Sequence, residues 1–338
     1  MKIKNIEKAS DRIKKAVLNN EQFILYGDSD LDGISSVVIL EEAIKNLGGE
    51  KIDVFFPDRE NDGYGINKKS LEFLKEKAPA LLITLDLGIG NVEEVLWAEK
   101  YGFEVIIVDH HEPLDKVPGV KIIVDPKQKD DPYPFKGLAN IGVTFRLCEE
   151  LLGKNMSESL RKSFLELTAL ATIADMVPQI DENKIFIEEG LRYLKNTFRP
   201  GLRALLDILG EGAVLSGGIS KLNSALNAAE DLVHKDNESY MLLTSSSKKD
   251  CQRMAQELID KTISKQFKIK AISEEVERRY AQKLSEPIIF EGDASWKLTL
   301  AGSVASIISN KYQKPTFIYK KMTDEKRFVS KFKSKCCY

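Results

Sequence analysis

The sequence predicts an α/β protein. A doubly wound parallel sheet comes first, then a helical extension, a long linking helix and a smaller, incomplete α/β domain. Short apolar runs alternate with amphipathic stretches through the first half, the order of strand and helix in such sheets. The runs are rich in branched residues and lack polar alternation, as in parallel strands covered on both faces. Acidic residues follow several runs directly, at the carboxyl edge where such sheets bind ligands.

The first run is Phe23-Ile24-Leu25-Tyr26. Ile34 to Leu47 then repeats apolar residues at helical spacing and stops at Gly48-Gly49. Four further strands are expected at Ile52-Asp53-Val54-Phe55-Phe56, Leu81-Leu82-Ile83-Thr84-Leu85, Val105-Ile106-Ile107-Val108 and Ile122-Ile123-Val124. Asn91 with Glu94 reads as a capping box opening a helix that ends at Gly102. From Ala139 to about Leu209 the pattern is mostly helical, as are Leu222 to Ala229 and Tyr240 to Leu284. Ser247 to Leu284 contains no proline or glycine and predicts one long helix. Pro287-Ile288-Ile289-Phe290, a helix from Leu300 to Tyr312, Thr316-Phe317-Ile318-Tyr319 and Arg327-Phe328-Val329 begin a second α/β domain. The expected division is 1–209, 210–284 and 285–338. No internal repeat or low-complexity segment is present.

The composition, 43% hydrophobic and 30% charged over 338 residues, is that of an ordinary soluble protein with more than one domain. No run of eighteen apolar residues suggests a membrane span. The charged start, MKIKNIEKASDRIKK, has no apolar signal core. Cys148, Cys251, Cys336 and Cys337 have neither disulfide-framework nor zinc spacing, which suggests a reducing cytoplasm. The net charge of −2 argues for no polyanion partner, but Lys311 to Tyr338 carries +7. That basic end would suit nucleic acid, although a solvated lysine-rich surface is the commoner meaning of such a run.

Three strand ends stand out: Gly27-Asp28-Ser29-Asp30-Leu31-Asp32-Gly33, Asp86-Leu87-Gly88 and Asp109-His110-His111. A parallel sheet would gather all three at one edge. Five carboxylates in one cleft are costly unless cations neutralise them. Carboxylate with imidazole suits manganese, magnesium or zinc. An EF-hand loop shares the Asp-x-Asp-x-Asp-Gly opening, but its twelfth position here is Ile39 and the motif follows a strand. Asp175, after the apolar stretch Phe164 to Ala174, is equally readable as a further contributor or as the polar end of a helix.

On these residues the chain resembles the DHH phosphoesterase superfamily, whose Asp-His-His motif matches Asp109-His110-His111. The first family motif resembles Asp28-Ser29-Asp30-Leu31-Asp32-Gly33, the second Asp86-Leu87-Gly88-Ile89-Gly90-Asn91, and the fourth Ala171-Thr172-Ile173-Ala174-Asp175-Met176-Val177-Pro178. That last string, with Phe56-Pro57-Asp58-Arg59 and Gly63-Tyr64-Gly65, is similar to the RecJ branch. The resemblance implies two Mn²⁺ ions, with Mg²⁺ as the substitute. Asp30, Asp32, Asp86, His110 and Asp175 match the family's ligands, with Asp86 bridging. Asp28 belongs with the metal-facing set as a weaker ligand, beside Asp109 and His111, which orient or assist. Asp86, His110 and His111 are the implied catalytic groups. Arg59 would meet a substrate phosphate, and Ser330 and Lys333 loosely match a Ser-x-Arg phosphate contact.

The implied activity is metal-dependent phosphodiester hydrolysis, foremost a 5′-to-3′ exonuclease on single-stranded DNA, acting as a cytoplasmic monomer with no membrane partner. Hydrolysis of short oligonucleotides or cyclic dinucleotides is an alternative, as is a non-catalytic scaffold in replication or repair. Two departures bear on substrate. Asn227-Ala228-Ala229-Glu230-Asp231 stands where relatives carry Asn-Ala-Ala-Gly-Arg, and the family's C-terminal Gly-Gly-His motif is absent.

Overall fold

The computed structural model describes residues 1–60, 63–210, 212, 217–229 and 237–321. Its main sheet joins β1 (Phe23–Gly27), β2 (Ile52–Phe55), β3 (Ala80–Leu85), β4 (Phe103–Val108) and β5 (Ile122–Val124) in the order β2-β1-β3-β4-β5. Every pairing is parallel. The chain first runs to one edge, then crosses back to place β3 on the other side of β1. This reversal is the switch point at which sheets of this order bind ligands. Three backbone bonds continue the ladder one residue past the strands: Asp28 N to Leu85 O, Asp86 N to Val108 O and Asp109 N to Val124 O, each 3.1 Å. The acidic strand ends therefore lie side by side.

Five helices accompany the sheet: α1 (Ile6–Leu18), α2 (Leu31–Asn46), α3 (Lys68–Leu74), α4 (Val92–Lys100) and α5 (Asn140–Leu152). Ile24, Tyr26, Leu82, Val105 and Ile107 form one core with Leu71 and Leu74 of α3 and Val95 and Ala98 of α4. The intervening residues Leu25, Ile83 and Ile106 are also fully buried, and α1, α2 and α5 contact the strands. Alternate residues thus serve opposite faces. Each such buried side chain contributes about 1.5–3 kcal/mol.

One helix starts earlier than expected and another is capped differently. α2 begins at Leu31 rather than Ile34, because the Asp30 carboxylate accepts from Asp32 N (3.1 Å) and Gly33 N (3.2 Å) and caps the helix inside the polar segment. α4 begins after Asn91 as expected, but without the capping box. The Asn91 amide instead accepts from Ile66 N and donates to Ile66 O, both 3.2 Å, and also reaches Glu94 at 3.3 Å. Gly65, at φ +85, makes that approach possible, since a Cβ there would lie 2.8 Å from the Asn91 amide.

The helices α6 (Glu158–Ala174), α7 (Asp181–Leu194), α8 (Pro200–Leu209), α9 (Gly218–Leu226) and α10 (Glu238–Thr244) complete the first compact unit, Met1–Leu258. The stretch after residue 209 is therefore no separate connector. α9 packs on α6 and α8, and α10 packs on α2 and α8. The expected long helix is α11 (Lys248–Tyr280), and the unit boundary falls within it. The second unit, Ile259–Tyr338, contains β6 (Ile289–Asp293), α12 (Leu298–Tyr312) and β7 (Thr316–Lys320), with β6 and β7 parallel. Its core gathers Val276, Tyr280, Ile289, Trp296, Val304 and Ile318. Arg327-Phe328-Val329 and the terminal cysteine pair lie outside the described residues, whereas Cys148 and Cys251 are buried free thiols. Among the described residues no helix is long and apolar enough to cross a membrane.

Candidate metal centre

Each strand end delivers its side chains through a local device. The loop after β1 folds back so closely that a Cβ on Gly33 would lie 2.4 Å from Asp28 O, so glycine is required there. Asp86 takes a left-handed conformation, φ +65, which turns the chain sharply at the end of β3. Aspartate tolerates that region better than most residues. Asp109 organises the end of β4. Its Oδ1 accepts from His110 N (2.7 Å), His111 N (3.2 Å) and His111 Nδ1 (2.7 Å), while Oδ2 accepts from Ile89 N (2.9 Å). Asp32 is held from outside the sheet: Asn140 N and Ile141 N, at the start of α5, donate to its two oxygens at 2.8 and 2.7 Å.

Three groups result in which potential ligand atoms lie within 4.8 Å of one another: Asp86 with His110 and His111, Asp32 with His110 and Asp175, and Asp28 with Asp30 and Asp86. Asp86 and His110 each belong to two groups. His110 Nε2 lies 3.2 Å from Asp86 Oδ1, 3.8 Å from Asp175 Oδ2 and 3.9 Å from Asp32 Oδ2. Asp175 arrives from the C-terminal end of α6, so it does contribute to the cluster rather than merely ending a helix.

The chemistry of this cluster fits a cation. His110 Nδ1 lies 3.0 Å from Leu138 O. A carbonyl only accepts, so the proton is on Nδ1. Burial, then the neighbouring His111, push His110 down to about 4, so at neutral pH its Nε2 presents a lone pair. That lone pair faces Asp86 Oδ1, and both atoms are buried without a hydrogen bond. Two acceptors 3.2 Å apart repel unless a proton or a cation lies between or beside them. Burial pushes the Asp86 carboxyl well above its ordinary range, and Asp32, Asp30, Asp28 and Asp109 push it further. Asp32 is raised too, by burial and then by Asp175 and Asp30. A histidine whose second nitrogen donates to a backbone carbonyl is the usual arrangement of a metal-ligating imidazole.

The DHH family, N-terminal domain, matches residues 22–172. The first unit carries a DHH-family domain. The single-stranded-DNA-specific exonuclease RecJ of Bacillus subtilis is 34% identical over 334 residues, covering 97% of this chain and 41% of the relative. RecJ of Escherichia coli is 32% identical over 222 residues, covering 62% and 38%. The chain thus spans about two fifths of the length of these curated relatives. Among solved structures, an exonuclease RecJ bound to manganese superposes with a TM-score of 0.82 at 25% identity, covering 94% of this chain and 80% of that one. RecJ from Thermus thermophilus in complex with Mn²⁺ has a TM-score of 0.80 at 24% identity, covering 95% and 46%, a likeness of fold.

Beside the DHH cluster, two carboxylates engage Arg59. Its Nε donates to Asp28 Oδ1 (2.8 Å), and Nη2 donates to Asp28 Oδ2 and to Asp30 Oδ2 (2.9 Å). Burial opposes ionisation of Asp30, but Arg59 holds its carboxyl below the ordinary value. His111 has both ring nitrogens engaged, Nδ1 by Asp109 and Nε2 by the Tyr64 hydroxyl at 3.1 Å. Tyr64 also contacts Asp86 O at 3.2 Å, and its half-exposed ring borders the DHH site. Tyr64 has a signal in the Gly-Tyr-Gly string, but nothing in that string marks the hydroxyl for His111. Asp125, directly after β5, is a fourth acidic strand end. It is buried, and burial pushes its carboxyl up to about 7.

Ser330, Lys333 and Glu230-Asp231 lie outside the described residues. Lys311 pairs with Glu277 at 2.7 Å, and Lys314 donates to Leu284 O (2.9 Å) and Glu286 O (2.8 Å). Both ammonium groups are thus used within the second unit. Asn227, from the Asn-Ala-Ala string, accepts from Leu31 N at 3.0 Å and braces the start of α2.

Proposed function

We propose that this chain is a metal-dependent phosphodiesterase, foremost a 5′-to-3′ exonuclease on single-stranded DNA, working with two Mn²⁺ ions or, in their place, Mg²⁺. The observation that carries the reading is the facing pair of unpaired acceptors, Asp86 Oδ1 and His110 Nε2, inside a ring of buried carboxylates. The likeness to RecJ exonucleases, one of them bound to manganese, supports the metal and the substrate class. As on sequence, the working unit is taken to be a cytoplasmic monomer.

Asp30, Asp32, Asp86, His110 and Asp175 would hold the ions, with Asp86 common to both and Asp28 the weaker neighbour. Bound divalent cations supply Lewis-acid polarisation of the phosphodiester and a nucleophile generated from water near neutral pH. The chain's own residues do the rest. Asp109 fixes His111 and the peptide groups around it, so that the imidazoles need not reorganise during reaction. Arg59 neutralises Asp28 and Asp30, and its guanidinium can exchange one carboxylate for a substrate phosphate of the same fork geometry. Tyr64 and His111 hydrogen-bond to each other at the border of the cluster.

The internal pairing of Lys311 and Lys314 favours one alternative, short oligonucleotides or cyclic dinucleotides in place of long strands. Incubation with Mn²⁺ and oligonucleotides of two to forty nucleotides, labelled at either end, separates the readings. Mononucleotides released from the 5′ end of long strands support the exonuclease. Turnover restricted to the shortest substrates supports the alternative. No turnover with bound Mn²⁺ favours a scaffold.

A further inference from the structure

Resting on that metal-centre reading, we propose that Asn140 is a positioning residue that sets the relative placement of Asp32, Asp86 and His110. It opens α5 and is fully buried. Its contacts reach all three ligand-bearing segments. The backbone N donates to Asp32 Oδ2 at 2.8 Å, and the next amide, Ile141 N, takes the other oxygen at 2.7 Å. This fixes the carboxylate plane of Asp32. The side-chain amide is oriented by its neighbours. Its nitrogen donates to Val108 O at 3.0 Å, and its oxygen accepts from Asp86 N at 2.9 Å and from Ser36 Oγ at 3.0 Å.

Each partner governs a ligand. Val108 is the last residue of β4 before Asp109-His110. Asp86 N belongs to the peptide that enters the left-handed turn, and it is shared between Asn140 and Val108 O at 3.1 Å. Ser36 lies one turn along α2 from Asp32. Two residues before Asn140, Leu138 O holds the His110 ring at 3.0 Å. The segment Leu138–Ile141 is therefore a template that touches the ends of β3 and β4 and the first turn of α2. Only a side chain with a donor and an acceptor on one short plane meets these demands. Aspartate would set an oxygen against Val108 O, and alanine would leave Val108 O and Asp86 N only each other.

The test uses the full chain and Mn²⁺. Asn140→Ala and Asn140→Asp are compared with wild type by calorimetric Mn²⁺ titration, by electron paramagnetic resonance of the Mn²⁺-loaded protein, by melting in EDTA and by kcat and KM on a labelled oligonucleotide. Outer partners of metal ligands usually matter by about 10–100-fold, and Mn²⁺ affinity is expected to fall by that amount. The resonance spectrum should change, kcat should drop, KM should stay, and cooperative melting in EDTA should persist. Wild-type Mn²⁺ affinity and spectrum in either folded variant overturn the proposal. Loss of cooperative melting in both variants also overturns it, because Asn140 is then a folding residue. Failure of the wild type itself to bind Mn²⁺ is a distinct result that removes the metal-centre reading.

Discussion

Replacing Asp86 by asparagine should make the metal-free protein more stable while removing its response to Mn²⁺. Asparagine matches aspartate in size and tolerates the left-handed conformation at φ +65, so the turn after β3 survives. What changes is charge. The Asp86 ligand atom lies within 4.8 Å of those of Asp28 and Asp30. At an effective dielectric of 20, one such like-charged pair repels by about 3.5 kcal/mol. Arg59, which pairs with Asp28 and Asp30, offsets part of this. A net gain of about 2 kcal/mol in EDTA corresponds to a melting rise of about 4–8 °C for a unit of this size. The sign follows from linkage. A carboxyl raised on folding contributes stability that is present below its unfolded value and lost as pH rises through the folded one. The advantage of the variant should therefore be small in acid and grow towards neutral pH. Mn²⁺ should act oppositely. At a concentration about 100-fold above its dissociation constant, a ligand stabilises the wild type by about 2.7 kcal/mol, and the variant should gain little. Melting curves of both proteins in EDTA and in Mn²⁺ should thus cross over. Two proteins that melt together in EDTA, or respond equally to Mn²⁺, refute the argument.

Asp109→Asn should weaken Mn²⁺ binding or activity by about 10–100-fold, since it removes charge from the group that fixes His111; unchanged binding and turnover would leave Asp109 a structural turn residue. Arg59→Gln should tighten Mn²⁺ binding, by releasing Asp28 and Asp30, while raising KM for oligonucleotides; titration and steady-state kinetics check both, and a lowered KM refutes the phosphate exchange. Mn²⁺ affinity should fall as pH falls, because protons compete for the raised carboxyls of Asp86 and Asp32. His110 stays neutral down to about 4, so the decline should begin above that pH, and calorimetry at stepped pH would contradict this if affinity held constant to pH 4.

The sheet is readable from sequence because strands buried on both faces need continuous apolar runs, and β1, β3 and β4 have them. The ends of those runs then point to Asp28, Asp86 and Asp109 without further information. Asp175 is ambiguous on sequence because only the packing of α6 brings it to His110. Asn140 is invisible there: its roles depend on α2, β3 and β4 at once, and a buried asparagine at a helix start reads as an ordinary cap. Arg59 is expected near a phosphate, but in the folded chain Asp28 and Asp30 engage its guanidinium. The connector boundary at 210 fails for a similar reason. The apolar faces of α9 and α10 match partners on α2, α6 and α8 that no local pattern announces.

The two amides on Asp32 give the protein built-in spectroscopic labels. Asn140 N and Ile141 N each rest on a separate oxygen of one carboxylate, at 2.8 and 2.7 Å. A cation that takes up either oxygen withdraws electron density from the corresponding hydrogen bond. With diamagnetic Mg²⁺, the nitrogen and proton resonances of these two residues would move by unequal amounts and identify the oxygen engaged. With Mn²⁺ the same signals would broaden among the first in the spectrum, so occupancy can be followed residue by residue without any nucleic acid in the tube.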